Sequence, residues 1–375
     1  MHNISGKKQV ALDALAGKAS HSIPVMLFTW GFDYNWQILG IPPWEAALGS
    51  REHRIGAPIA AFERHRPDVL LYDGAGWGPN EATLLDDTPT SWIVRNNNNG
   101  EEYEFIKESY TVVHKATGRK DCDPVDGLDS KEDVDRIWNS PPKGHSQNYL
   151  SGLSETIARV GDGALVMPTC SPAYIQACYA LGFEKAMAAM SENPEFFLYL
   201  ADKIAEGDDL IMRQFADAGA EAVFIADGWA SCDIISPKMF REFALPYQRK
   251  TVEAAKKVGL RAVLWNEGDV IPILEDEAAL PMDAFAIEQS RKGIDLTVRR
   301  VREVLGPERC LFGNLDSELL LQRNDEAEIR EAVFDQIRQS GQGAPFIMSC
   351  GSPLPSNTPP EAVDAMIRAT REFAW

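Results

Sequence analysis

Apolar residues in this chain gather in short runs that stop abruptly at polar ones. In Arg261-Ala-Val-Leu-Trp-Asn-Glu-Gly-Asp269 a buried-type run ends in a carboxamide, a carboxylate, a glycine and a second carboxylate. That is how a strand reads when it carries chemistry at its tip. The pattern recurs in Ala222-Val-Phe-Ile-Ala-Asp-Gly228, Ala284-Phe-Ala-Ile-Glu288, Cys310-Leu-Phe-Gly-Asn-Leu-Asp316 and Phe346-Ile-Met-Ser-Cys350. Upstream, Ile23-Pro-Val-Met-Leu-Phe-Thr-Trp30, Asp68-Val-Leu-Leu-Tyr-Asp73 and Ala164-Leu-Val-Met-Pro168 read as three more strands.

Helical stretches separate these runs: a leader around Lys8 to Ala16, a long one from Phe183 to Ala218 broken at Asn193-Pro194, and others opened by Ser236-Pro237 and Thr358-Pro359-Pro360. Strands joined through helices run parallel, because the crossover returns the chain to the same edge. Eight of them predict an α/β fold closed as a single (β/α)8 TIM barrel over residues 1–375. A doubly wound open sheet is the competing arrangement. It calls for a phosphate-binding glycine loop after the first strand, and Gly74-Ala-Gly-Trp-Gly78 reads as a flexible lid instead.

The stretch from Thr88 to Asp126 breaks the rhythm. Ser91-Trp-Ile-Val-Arg95 and Tyr103-Glu-Phe-Ile-Lys107 flank Asn96-Asn-Asn-Asn-Gly100, which predicts an antiparallel β-hairpin insertion over 88–126.

Charge and composition narrow the function. A net charge of -19 over 375 residues argues against nucleic acid as a partner and fits docking to a basic protein face. The Met1 end lacks a signal peptide's basic stretch and apolar core, and no apolar run approaches the roughly 20 residues that span a bilayer. A cytoplasmic location is expected. The cysteines have no CxxC pairing, which argues against a disulfide framework or a zinc finger. Every histidine lies in the first 145 residues, so chemistry at the later strand tips falls to carboxylates, amides, Cys and Tyr.

Glu267 and Glu288, on neighbouring tips, are the first candidates, with Asp227 and Asp73 beside them. Trp30, Phe32, Trp36, Tyr72, Trp77, Trp229 and Trp265 fall at strand ends or just beyond, where a barrel builds its site, and predict an apolar slot for an aromatic ligand. Plainer roles are available too. Glu288 can pair locally with Arg291, Asp73 and Asp227 can cap the loops beyond them, and Cys350 can be an inert core thiol.

Four segments taken together carry a family resemblance: Ile235-Ser-Pro-Lys-Met-Phe-Arg-Glu-Phe243 with Pro246, Leu264-Trp-Asn-Glu-Gly-Asp269, Phe312-Gly-Asn-Leu-Asp316 and Ser349-Cys-Gly-Ser-Pro-Leu-Pro-Ser-Asn-Thr-Pro-Pro360. In these the chain resembles the uroporphyrinogen decarboxylase superfamily, which includes cobalamin-dependent methyltransferases. Tetrapyrrole decarboxylases open with an arginine-rich motif that grips carboxylates. Here the first strand runs into Phe28-Thr-Trp-Gly-Phe-Asp33, and Cys350 stands where their late histidine falls, although Asp73 matches their key aspartate. In the thiol-methylating branch a His-x-Cys pair and a later Cys hold zinc; Trp265 and Glu267 occupy the pair's positions, and Cys350 the later one.

The resemblance therefore points to the methyl-donor side of corrinoid systems. It implies a methyltransferase that moves a methyl group from a small, aromatic O-methyl donor to the Co(I) of a corrinoid (cobalamin) carried by a partner protein. Glu267, Glu288 and Asp227 would activate the leaving group as acids or, with Cys350, hold a zinc ion, while Asn266 and Asn314 would stabilise the oxyanion. A homodimer is compatible with it. The rivals are a decarboxylase, a methylcobamide:thiol methyltransferase, and a non-catalytic module that binds a ligand or a corrinoid protein.

Overall fold

The computed structural model describes residues 6–18, 22–30, 34–41, 44, 51–73, 82–97, 99–108, 111–120, 123–139, 142, 144–291 and 293–375. Eight parallel strands follow one another around a barrel: β1 (Met26–Leu27), β2 (Val69–Tyr72), β7 (Leu165–Cys170), β8 (Ala222–Asp227), β9 (Arg261–Asn266), β10 (Ala284–Ile287), β11 (Cys310–Phe312) and β12 (Phe346–Ile347). A parallel bridge between Val25 and Met348 joins the last strand to the first. The Met26 N–H donates to the Met348 carbonyl and the Met348 N–H to that of Pro24, each at 2.8 Å. The expected barrel is therefore closed.

Side-chain parity sorts each strand. Val69 and Leu71, Phe224 and Ala226, Val263 and Trp265, Ala284 and Ala286 pack in the barrel interior. Their neighbours Leu70 and Tyr72, Val223 and Ile225, Leu264, and Phe285 belong to the layer between strands and helices. Because successive side chains point to opposite faces, one residue of offset separates the cavity from the outer layer. Small residues on β10 leave the axis to Phe28, whose ring meets Phe224 at 5.3 Å and Trp265 at 5.4 Å, both edge-on.

The leading helix, Lys7–Leu15, presents Ala11, Ala14 and Leu15 to this interior at the spacing of one helical face. It stoppers the barrel floor. Lys8 pairs with Glu221 at 2.7 Å just before β8, and Lys7 with Asp68 at 3.5 Å just before β2.

The insertion is larger than a hairpin. β4 (Ser91–Asn96) and β5 (Glu102–Ile106) form the expected pair, but β3 (Ala82–Asp87) and β6 (Val112–His114) extend it to a four-stranded antiparallel sheet that begins before residue 88. β3 lies at the sheet edge and is largely exposed, so it lacks the apolar alternation by which strands are recognised. The long helical stretch divides twice, into Phe183–Glu192, Pro194–Ala205 and Asp208–Asp217. The expected interruption falls at Asn193, which caps the second helix, and a further break falls at Gly207. Among the described residues no helix is long and apolar enough to cross a membrane.

Candidate active site

β9 shows how the sequence builds the site. Trp265 is on the inward face, so Asn266 points out and Glu267 points in again. At the strand ends a cleft of about 340 Å³ is lined by Trp30, Trp229, Trp265 and Tyr179 together with Glu267, Arg291 and Glu318. The Trp30 and Trp265 rings stand 6.3 Å apart with their planes at 42°, and the Trp265 Nε1–H donates to the Gly351 carbonyl at 3.1 Å. Tyr179, from the helix Ala173–Leu181, meets Trp229 edge-on at 4.9 Å.

One guanidinium organises the acids. Arg291 Nη2 lies 2.9 Å from Glu267 Oε1 and 2.6 Å from Glu288 Oε1, and Nη1 is 3.6 Å from Glu318. Glu288 is buried, with 1% of its side chain exposed. Its Oε2 accepts the Gly268 N–H at 2.7 Å and its Oε1 the Ser352 hydroxyl at 3.1 Å. Gly268 has φ of 81°, a left-handed conformation that glycine adopts without strain. Burial, with the Glu267 charge beside it, raises the Glu288 pKa, while the Gly268 N–H, Arg291 and Ser352 oppose the rise.

Behind this layer Asp227 and Asn266, register partners on β8 and β9, point outward. Gln248 donates to Asp227 Oδ2 at 3.0 Å, and Asn266 Nδ2 to Glu277 Oε1 at 2.8 Å. The remaining oxygens, Asp227 Oδ1, Gln248 Oε1, Asn266 Oδ1 and Glu277 Oε2, are buried without a hydrogen-bond partner. Burial pushes Asp227 up to about 7 and Glu277 up to about 8. A proton on either carboxyl would give this cluster of acceptors a donor.

Of the residues singled out from the sequence, Trp30, Trp229, Trp265 and Glu267 line the cleft and Glu288 lies just beneath it. Asp73 comes directly after β2 with the inward parity of Leu71. Asp227 and Asn266 sit in the outer network. Asn314 Nδ2 donates to the Glu288 and Leu296 carbonyls, so it braces the loop after β10. Tyr72 packs outward against Tyr149, and Trp36 against Ala57. Phe32, Trp77 and the expected lid at 74–78 lie outside the described residues. Arg291, Ser352, Tyr179 and Glu318 complete the site. Of these, Arg291 had a sequence signal in its position three residues after Glu288, and Ser352 lies in the Ser349–Pro360 segment that carries the resemblance.

The proposed zinc ligands are not assembled. Cys350 is buried in the outer layer, its Sγ 3.9 Å from Met366 Sδ, and desolvation drives its thiol pKa far up. Among the described residues no group of three or more His, Cys, Asp or Glu is placed to hold a metal ion. A site of Glu267, Glu288 and Cys350 does not fit this arrangement.

Barrel and cleft together follow the (β/α)8 plan, with the candidate site at the ends of the strands. Residues 124–373 match the uroporphyrinogen decarboxylase (URO-D) family, and the chain belongs to it. Curated relatives include uroporphyrinogen decarboxylases of Anaeromyxobacter sp. (strain Fw109-5), 26% identical over 69% of this chain and 72% of theirs, and of Gloeobacter violaceus, 28% identical over 65% and 70%. Among solved structures, a methyltransferase from Methanosarcina mazei superposes with TM-score 0.70 at 19% identity, covering 98% of both chains. A B12-independent methionine synthase from Shewanella sp. W3-18-1 shares the fold at TM-score 0.53 and 6% identity, over 94% of this chain and 98% of its own.

Proposed function

We propose that this enzyme is a methyltransferase that seats a small methyl donor against its tryptophans and passes the methyl group to a corrinoid carried by a partner protein. The observation that carries the reading is the cleft itself. Three tryptophans and a tyrosine line it beside small and aliphatic residues, and its one described cation, Arg291, is already shared among three carboxylates. A tetrapyrrole polyacid needs several unengaged cations, so the decarboxylase reading finds little support here.

The corrinoid supplies a Co(I) nucleophile when its carrier docks. The chain's own residues bind and orient the donor and exclude water. Tyr179 and Phe183, 53% and 46% exposed, both pack on Trp229 and form an apolar edge at the cleft that suits a protein partner. The O-methyl arene expected from the sequence suits the indole walls.

The test supplies the purified enzyme with a Co(I) corrinoid protein and a panel of methoxyarenes, methylamines and betaines. Donor-dependent loss of the Co(I) absorbance is expected. Turnover of uroporphyrinogen with no methyl transfer from any donor would replace this reading with a decarboxylase. Methylation of a thiol from methylcobamide would replace it with the thiol branch.

A further inference from the structure

We infer that the cleft takes a small methylonium cation, a quaternary ammonium or a sulfonium, as its methyl donor. In calling it a donor the inference rests on the methyl-transfer reading above; the binding of a cation stands on the cleft alone.

The walls favour it first. Trp30, Trp265, Trp229 and Tyr179 offer indole and phenol rings to a volume of about 340 Å³, near the lower end of the roughly 300–1,000 Å³ usual for small-ligand sites. The negative face of an aromatic ring attracts a cation within about 6 Å, and tryptophan does so best. A neutral arene gains apolar contact and ring stacking from the same surfaces but no attraction of its charge.

Charge points the same way. Among the described residues at the cleft one guanidinium is set against Glu267, Glu288 and Glu318. A concave, low-dielectric site with an excess of carboxylate concentrates cations and repels anions.

Leaving-group chemistry supplies the third argument. An aryl ether loses its methyl with the C–O pair left on oxygen, and the phenolate must be protonated or stabilised. Glu288 already accepts hydrogen bonds from Gly268, Ser352 and Arg291, and Glu267 is paired with the same arginine. In these contacts both carboxyls are acceptors, and neither is shown donating to a ligand position in the cleft. From an onium the C–N or C–S pair stays on the heteroatom, the product departs neutral, and the methyl group is taken by an electron pair of Co(I). No proton is consumed. The leaving group is neutral as the bond breaks, which weakens its hold on the aromatic, acidic cleft; a thioether stays neutral, and an amine regains charge only by taking a proton from water.

Choline and its uncharged carbon isostere 3,3-dimethylbutan-1-ol, titrated into the full chain by calorimetry, test this without any corrinoid present. Choline is expected to bind at least tenfold more tightly. Trp229→Leu and Glu267→Gln are each expected to weaken choline severalfold and to leave the isostere nearly unchanged. Equal affinity for the two probes, tighter binding of methoxybenzene, no choline binding at millimolar concentration, or choline binding indifferent to both substitutions would overturn the inference. Methyl transfer from a methoxyarene without choline binding would sink the cation and keep the methyltransferase. Choline binding with no transfer from any donor would do the reverse.

Discussion

Arg291 bridges Glu288 and Glu267 through a single nitrogen, at 2.6 and 2.9 Å, and so binds the ends of β10 and β9 into one charged unit. Without it Glu288 keeps its burial and loses the only cation that pairs with it among the described residues. Arg291→Ala is expected to cost about 3 kcal/mol, at the lower end of the range for removing one partner of a buried pair, since Arg291 itself is partly exposed. Urea denaturation measures this. An unchanged midpoint would mean that the Gly268 and Ser352 hydrogen bonds suffice.

Arg291→Lys keeps the charge and loses the fork that reaches several carboxylates at once. Methyl transfer is expected to fall about 100-fold through displaced side chains, with less than about 1.5 kcal/mol lost in stability. Parallel kinetics and denaturation separate the two effects.

Gly351 faces the backbone of β10's end. A Cβ there would overlap the Gln289 nitrogen and come within 2.6 Å of the Glu288 carbonyl carbon. Neither backbone can swing aside as a flexible side chain could. Gly351→Ala is therefore expected to displace Glu288 and to abolish choline binding and turnover while leaving the circular dichroism of a folded barrel. Wild-type choline affinity in this variant would contradict the placement of Glu288 beneath the cleft.

The outer network makes stability depend on pH. Asp227 at about 7 and Glu277 at about 8 hold protons in the folded chain that the unfolded chain releases near pH 4. Because the native state binds more protons, this stabilisation is fully present below about pH 4 and is lost as pH rises through 7 to 8. Between about pH 5 and 8 these groups are expected to remove a few kcal/mol, read as a falling Tm. In the double variant Asp227→Asn, Glu277→Gln the fall should flatten. A Tm that rises across that window in the wild type would sink the protonated network.

The fold was legible because each strand is a continuous apolar run bounded by turn residues, and helices fill the intervals. Edge strand β3 escaped notice because exposure erases the pattern. At the site, residue type was easier to read than direction. Glu267 and Asp227 both come after apolar strand residues, yet Glu267 has the parity of inward Trp265 and Asp227 that of outward Ile225. Counting by twos from a single known interior residue would have moved Asp227, Asn266 and Cys350 out of the cleft. Arg291 was harder, since it reaches Glu267 from a loop four residues past the end of β10, and Ser352 arrives from the far end of the chain.

The stopper formed by Lys7–Leu15 has a kinetic corollary. With the floor filled, the proposed donor and carrier protein would approach through the same doorway, and a docked carrier would bar it. Small molecule first, protein second is then the productive order, and excess carrier should inhibit by trapping the vacant enzyme, a pattern that steady-state rates would expose.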